Sequence, residues 1–158
     1  RVPMLVAGPE KYVGPAGRTD PSLVGLQDVM PTVLDLAKAP ILAHLDGESV
    51  LEGTKRTWLH GEHVLHFQNQ SNQFIVTQKD KYVWFSQTGE EQYFDLERDP
   101  GETHNAIGDE ACQERIAQLR RHLIEALKGS EEGYSDGECL IVGRRPQECL
   151  SNATAENV

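Results

Sequence analysis

The chain has 158 residues, 38% of them hydrophobic, and a formal net charge of −10. That length builds one ordinary domain and buries a real core. The acidic balance leaves no basic stripe to neutralise nucleic-acid phosphates and opposes docking on an anionic membrane, and no apolar run approaches the roughly 20 residues of a membrane-spanning helix.

In chain order, Val2 to Val6 reads as a short buried strand that Gly8-Pro9 ends, and Leu23-Val24-Gly25-Leu26 reads as another. Asp28 then precedes an apolar pattern in Val29, Val33, Leu34, Leu36 and Ala37 that suits a helix. Pro31 is tolerated in its first turn, where the backbone N–H has no intrahelical acceptor, and Pro40 stops it. With Lys38 just beyond the helix, a left-handed cap is not expected. Asp46-Gly47-Glu48-Ser49-Val50-Leu51 reads as a turn that pins a loop, and a composition change after Gly53 sets a boundary there.

From Trp58 to Leu96 the period is that of strands. Phe74 and Val76 share one face, Ile75 and Thr77 the other; Tyr82 and Trp84 alternate with Val83 and Phe85. Gln92 to Leu96 gives a third strand after a turn at Thr88-Gly89-Glu90, and Val64 to Gln68 a fourth. Short connections favour antiparallel pairing. Asp109 is the expected N-cap of the clearest helix, with Glu110 at the positive end of its dipole. Cys112, Ile116, Leu119, Leu123 and Leu127 form its apolar stripe. Arg115, Arg120, Arg121 and Lys128 lie off the stripe, and Gly129 supplies the stop. From Ser130 the composition turns to Gly, Ser, Glu and Asp, with a short strand or clasp expected at Glu138 to Arg144 and disorder from Ser151. Cys139 and Cys149 could pair in an oxidising compartment, which leaves Cys112 as the odd thiol of three. Asn69-Gln70-Ser71 and Asn152-Ala153-Thr154 have the form of glycosylation sequons.

One titratable cluster stands out: His60-Gly61-Glu62-His63, with His66 behind it. The His-x-x-His spacing invites a zinc reading, but on a strand His60 and His63 face opposite sides and no second ligand motif accompanies them. Asp95, Asp99, Glu102 and Asn105 lack the spacing of a calcium loop. Asp99-Pro100-Gly101 reads instead as a turn, with Asn105 satisfying local backbone groups. Tyr82, Trp84 and Phe85 read as sheet core before they read as a sugar platform.

Two motifs carry a family resemblance. Tyr93-Phe94-Asp95-Leu96-Glu97-Arg98-Asp99-Pro100-Gly101-Glu102-Thr103-His104-Asn105 resembles a signature near the C-terminus of sulfatases, Phe-Asp-Leu-x-x-Asp-Pro-x-Glu-x-x-Asn. Asp28-Val29-Met30-Pro31-Thr32-Val33-Leu34-Asp35-Leu36-Ala37 resembles the segment that closes the catalytic domain of the same family, and Asp46-Gly47-Glu48-Ser49 stands between them in the expected order. The resemblance implies the C-terminal portion of a sulfatase whose parent has the α/β, alkaline-phosphatase-like fold. This portion is then α+β: residues 1–53 end the catalytic domain, residues 54–129 form a small antiparallel sheet packed by a long helix, and residues 130–158 are a tail. The implied activity of the parent is hydrolysis of sulfate esters with a formylglycine and calcium. No Cys or Ser here is followed by the Cys/Ser-x-Pro/Ala-x-Arg pattern that formylglycine needs, and the family's metal-ligand motifs lie before the stretch that the resemblance covers, so no nucleophile and no metal ligand is carried over, and the chain alone is expected to be inactive. The implied partners are the preceding catalytic part and a sulfated small molecule or sugar, with no nucleic acid and no membrane. The resemblance also points to His60 and His63 as substrate contacts; the plainer reading is that they structure a loop between subdomains. A phosphate or phosphonate ester hydrolase of the same superfamily, and a non-catalytic module that binds carbohydrate or protein, are the alternatives.

Overall fold

The computed structural model describes residues 4–65 and 70–146. They fall into two compact units divided between Leu59 and His60.

The first unit holds a one-turn helix α1 (Glu10–Val13) and, after a 3-10 turn at Leu26–Asp28, helix α2 (Val29–Leu36). The strands expected at Val2–Val6 and Leu23–Leu26 do not form among the described residues. Leu5 is 92% exposed and Leu26 89%. A strand needs a ladder partner for its N–H and C=O groups, and no strand of this unit lies beside either segment. Val2 and Pro3 lie outside the described residues.

Helix α2 starts where expected, but its anchoring group works sideways. The Asp28 carboxylate is fully buried. It accepts from the backbone N–H of Gly25 at 2.8 Å and of Glu48 at 2.8 Å, and from both terminal nitrogens of Arg56 at 3.0 and 2.5 Å. A buried charge with four donors is satisfied; deprived of Arg56 it would be costly. The 46–51 turn is pinned along the same helix. Ser49 Oγ donates to Asp35 at 2.7 Å, and Val50 N–H donates to Thr32 Oγ1 at 3.1 Å. Gly47 sits so close that an added Cβ would lie 2.0 Å from the Gln27 carbonyl oxygen.

The helix ends in the left-handed cap that the sequence argued against. Lys38 has φ 55°. Its N–H donates to the Asp35 carbonyl at 3.0 Å, and the Ala39 N–H donates to Leu34 at 2.9 Å, the paired bonds of a Schellman cap. Closing two orphan carbonyls outweighs the steric penalty of a β-carbon in that region. The apolar face of α2 also differs from the expected one. Pro31 and Thr32 are buried, while Met30 and Val33 are each 58% exposed and Val29 is exposed too.

The second unit is a four-stranded sheet in the order β1 (Leu59–Leu65), β2 (Gln70–Val76), β3 (Asp80–Phe85), β4 (Glu91–Asp95), followed by helix α3 (Gln113–Ala126). The β2–β3 and β3–β4 pairs are antiparallel, with Ile75 opposite Tyr82 and Tyr82 opposite Tyr93. Those three side chains and Trp84 are buried with the α3 stripe of Ile116, Leu119 and Leu123. Each of the three stripe residues contributes roughly 1.5–3 kcal/mol by leaving water. Phe74, Val76, Val83, Phe85, Phe94 and Leu96 cluster separately, on the sheet's other side. Asp109 caps the entry to α3 by accepting from Ala111 N–H.

Arg115 and Arg120 flank the stripe and tie the helix to the sheet. Arg115 pairs with Asp80 at 2.6 Å, and Arg120 pairs with Glu91 at 2.6 Å. Beyond the helix, residues 130–146 form a clasp. Tyr134 meets Trp84 edge to face with ring centroids 5.9 Å apart, and Gly143 N–H donates to the Ser86 carbonyl. The expected strand at Glu138–Arg144 is reduced to an isolated bridge between Ser135 and Leu140. Cys149, Asn69 and Asn152, and with them the disulfide and sequon readings, lie outside the described residues.

Candidate functional site

The titratable cluster singled out by the sequence lies on β1, at the edge of the sheet. A strand sends alternate side chains to opposite faces, and Gly61 lets this one press close to its neighbour. An added Cβ there would sit 2.2 Å from Phe74 Cζ. His60 and Glu62 therefore share the face of Gln73, and Gly61 and His63 share the face of Phe74.

On the first face, His60 Nε2 lies 2.8 Å from Gln73 Oε1. The Gln73 amide nitrogen donates to Glu62 Oε2 at 3.3 Å and to Ser71 Oγ at 3.0 Å. Gln73 is fully buried and Ser71 nearly so. One ring nitrogen of His60 is thus engaged inside the protein, so the ring cannot offer both nitrogens to a ligand. On the second face, His63 borders a shallow groove of about 350 Å³ lined also by Phe74, Lys81, Val83, Phe94 and Glu102. Lys81 Nζ donates to Glu102 Oε2 at 2.7 Å and sits 5.4 Å above the Phe74 ring, so its charge is already neutralised. The structure does not bring His60 and His63 together, and His66 lies outside the described residues.

Two further carboxylates, Asp80 and Glu91, are held in ion pairs with Arg115 and Arg120. Burial works to raise the Asp80 carboxyl, but Arg115 and the hydroxyls of Thr77 and Tyr93 outweigh it and hold its pKa below the ordinary value. Glu91 is likewise opposed by burial and held low by Arg120 and Tyr82. Burial and the bond to Glu91 push the Tyr82 phenol up. Tyr82 and Trp84 are almost fully buried, which removes them as a sugar platform.

A calcium ion needs several oxygens aimed at one point. In the Asp95–Asn105 segment Glu102 accepts from Lys81, and the other oxygens of the set are turned to nearby backbone N–H groups. Asp95 accepts from Glu97 and Arg98 N–H, Asp99 from His104 N–H, and Asn105 from Tyr93 and Ile107 N–H. Among the described residues no three His, Cys, Asp or Glu side chains converge to hold a metal. The described residues do not fit a calcium cage, and no Cys or Ser of the sequence fits the formylglycine pattern.

Sequence reasoning missed Gln73, Arg56 and the two arginine clamps. A polar residue at a buried position of a period-two strand was the available signal for Gln73. Nothing in spacing alone joins Arg56 to Asp28.

A profile of the family described as N-sulphoglucosamine sulphohydrolase, C-terminal, matches residues 1–129. The chain belongs to this family of C-terminal sulfatase domains. It is 46% identical over 150 residues to an arylsulfatase of Clostridium perfringens, covering 90% of this chain and 31% of that protein. The chain thus spans about a third of the length of that relative. Among solved structures it resembles a putative sulfatase from Bacteroides thetaiotaomicron (TM-score 0.61, 22% identity, 68% of this chain and 25% of that one). It also resembles a phosphonate monoester hydrolase from Silicibacter pomeroyi (TM-score 0.51, 21% identity, 63% of this chain and 24% of that one). The fold is therefore one that this chain shares with about a quarter of each of those two structures.

Proposed function

We propose that this chain is the C-terminal part of a sulfatase that hydrolyses sulfate esters, and that it shapes the substrate pocket without carrying the reacting groups. The fold is shared by sulfatases and phosphonate hydrolases and does not choose between the esters; the 46% identity to an arylsulfatase supports the sulfate ester. Formylglycine and calcium belong, on this reading, to a preceding catalytic part. The first unit supplies the support for such a partner: Leu26, Met30 and Val33 recur at positions i, i+4 and i+7 and all are exposed. A stripe of that kind, along a 3-10 turn and a helix that are otherwise fixed by buried bonds, calls for an apolar surface to cover it.

The substrate is a sulfated small molecule or sugar, contacted by His60 or by His63. Because the two point to opposite faces, one of them meets the substrate and the other serves the fold. The test is a chimaera in which this chain replaces the corresponding third of the C. perfringens arylsulfatase. Aryl-sulfate hydrolysis by the soluble chimaera is expected, with activity and solubility lost when Met30 and Val33 are both changed to Asp. A folded chimaera that does not hydrolyse the ester contradicts the proposal, and preference for a phosphonate monoester moves it to the sister chemistry.

A further inference from the structure

The hydrogen-bond pattern around Gln73 assigns roles that no distance alone would fix. A carboxylate only accepts, so the Gln73 atom facing Glu62 is the amide nitrogen, and the same nitrogen reaches Ser71 Oγ. The carbonyl oxygen is then the atom 2.8 Å from His60 Nε2. A carbonyl oxygen also only accepts, so Nε2 must carry the proton, and in the neutral ring the lone pair is left on Nδ1.

We propose that Gln73 is a positioning residue that transmits the polarity of Glu62 to His60, holding the imidazole as the Nε2–H tautomer and presenting Nδ1 as its functional nitrogen. The relay has the physical properties the role needs. Gln73 is fully buried and Ser71 2% exposed, so water does not compete for the amide. Two donors and one acceptor of the amide are matched by two acceptors and one donor, and rotating the amide by 180° would set its NH₂ against His60 and its carbonyl against a carboxylate. Both mismatches are unfavourable for an amide that is shielded from water, so the orientation is fixed. Glu62 itself is exposed, where a substitution is tolerated without unpacking the core.

If His60 is the substrate contact proposed above, which is the reading this consequence rests on, it meets a hydroxyl through Nδ1 when neutral and a sulfuryl oxygen through Nδ1–H only when protonated. The relay is tested apart from that reading, by nitrogen-15 NMR of the His60 ring in the 158-residue chain at a pH where the ring is neutral. The wild type is expected to show Nε2–H. Glu62→Gln can present its carbonyl to Gln73 and keeps that tautomer. Glu62→Lys offers only donors, turns the amide over, and is expected to replace the Nε2–H signal with Nδ1–H. Gln73→Met removes the acceptor, and the Nε2 proton is expected to lose its protection from exchange with water. An unchanged tautomer in Glu62→Lys together with undiminished protection in Gln73→Met overturns the relay. In the chimaera, a His60→Ala change that leaves KM and kcat alone removes His60 from substrate contact while leaving the relay standing on its NMR signature.

Discussion

Replacing Arg115 by Met separates the electrostatic fastening of α3 from its apolar docking. The Arg115 guanidinium donates to both Asp80 oxygens, at 2.6 and 3.0 Å, and Asp80 also accepts from Thr77 Oγ1 and Tyr93 Oη. The side chain of Asp80 is 6% exposed and that of Arg115 37%. Removing one member of a buried pair costs about 3–5 kcal/mol. Arg115 is partly in water, which screens the pair, and Thr77 and Tyr93 stay, so about 2 kcal/mol is the expected loss at neutral pH. For a unit of this size that lowers Tm by roughly 8–16 °C. Arg115→Met combined with Asp80→Asn removes the stranded charge and is expected to recover part of the loss. The pH dependence has a definite sign. The folded pKa of Asp80 is depressed, so its contribution is present above the unfolded value of about 3.9 and disappears as pH falls through the folded value. The difference between wild type and Arg115→Met should therefore shrink below about pH 4. Urea titrations of both proteins across that range measure it. A loss under about 0.5 kcal/mol at pH 7, or a difference that grows in acid, refutes the assignment of Asp80 as a buried ionised anchor.

Gly61→Ala forces a methyl to within 2.2 Å of the Phe74 ring; overpacking of this kind costs about 1–3 kcal/mol, and a double change with Phe74→Leu should relieve it in thermal melts. Gly47→Ala meets backbone rather than side chain, so no rotamer relieves it. It should unlatch the 46–51 turn, read as faster amide exchange at Glu48 and Val50, whose N–H groups bond Asp28 and Thr32. Lys38→Gly keeps the cap and removes the β-carbon from a positive-φ site. It should stabilise by about 1 kcal/mol, and a lower urea midpoint would contradict the cap.

The second unit was legible because its signals are local. The alternation in Phe74–Thr77 and Tyr82–Phe85, the 3–4 spacing of Ile116, Leu119 and Leu123, and Asp109 as cap each follow from neighbours in sequence. Asn105 also behaves as read, accepting from backbone N–H groups. The first unit was less legible because its order comes from pairings across 18 to 28 residues, such as Arg56 with Asp28 and Val50 with Thr32. Its apolar periodicity predicts burial, yet Val29 and Val33 are exposed; periodicity reports that a face is apolar, not what covers it. Lys38 shows the same limit in reverse, since a cap bonding pattern can override the preference for glycine. At the site, opposite projection of His60 and His63 follows from strand geometry, whereas the engagement of His60 Nε2 by Gln73 needed three dimensions.

The division of labour between this chain and a catalytic partner turns on whether these residues carry chemistry of their own. Purified chain, supplied with calcium and an aryl sulfate, is predicted to release no phenol above the buffer rate while remaining folded by circular dichroism. Turnover that scales with chain concentration would show that a nucleophile resides here after all and would contradict the assignment of the reacting groups to a catalytic partner.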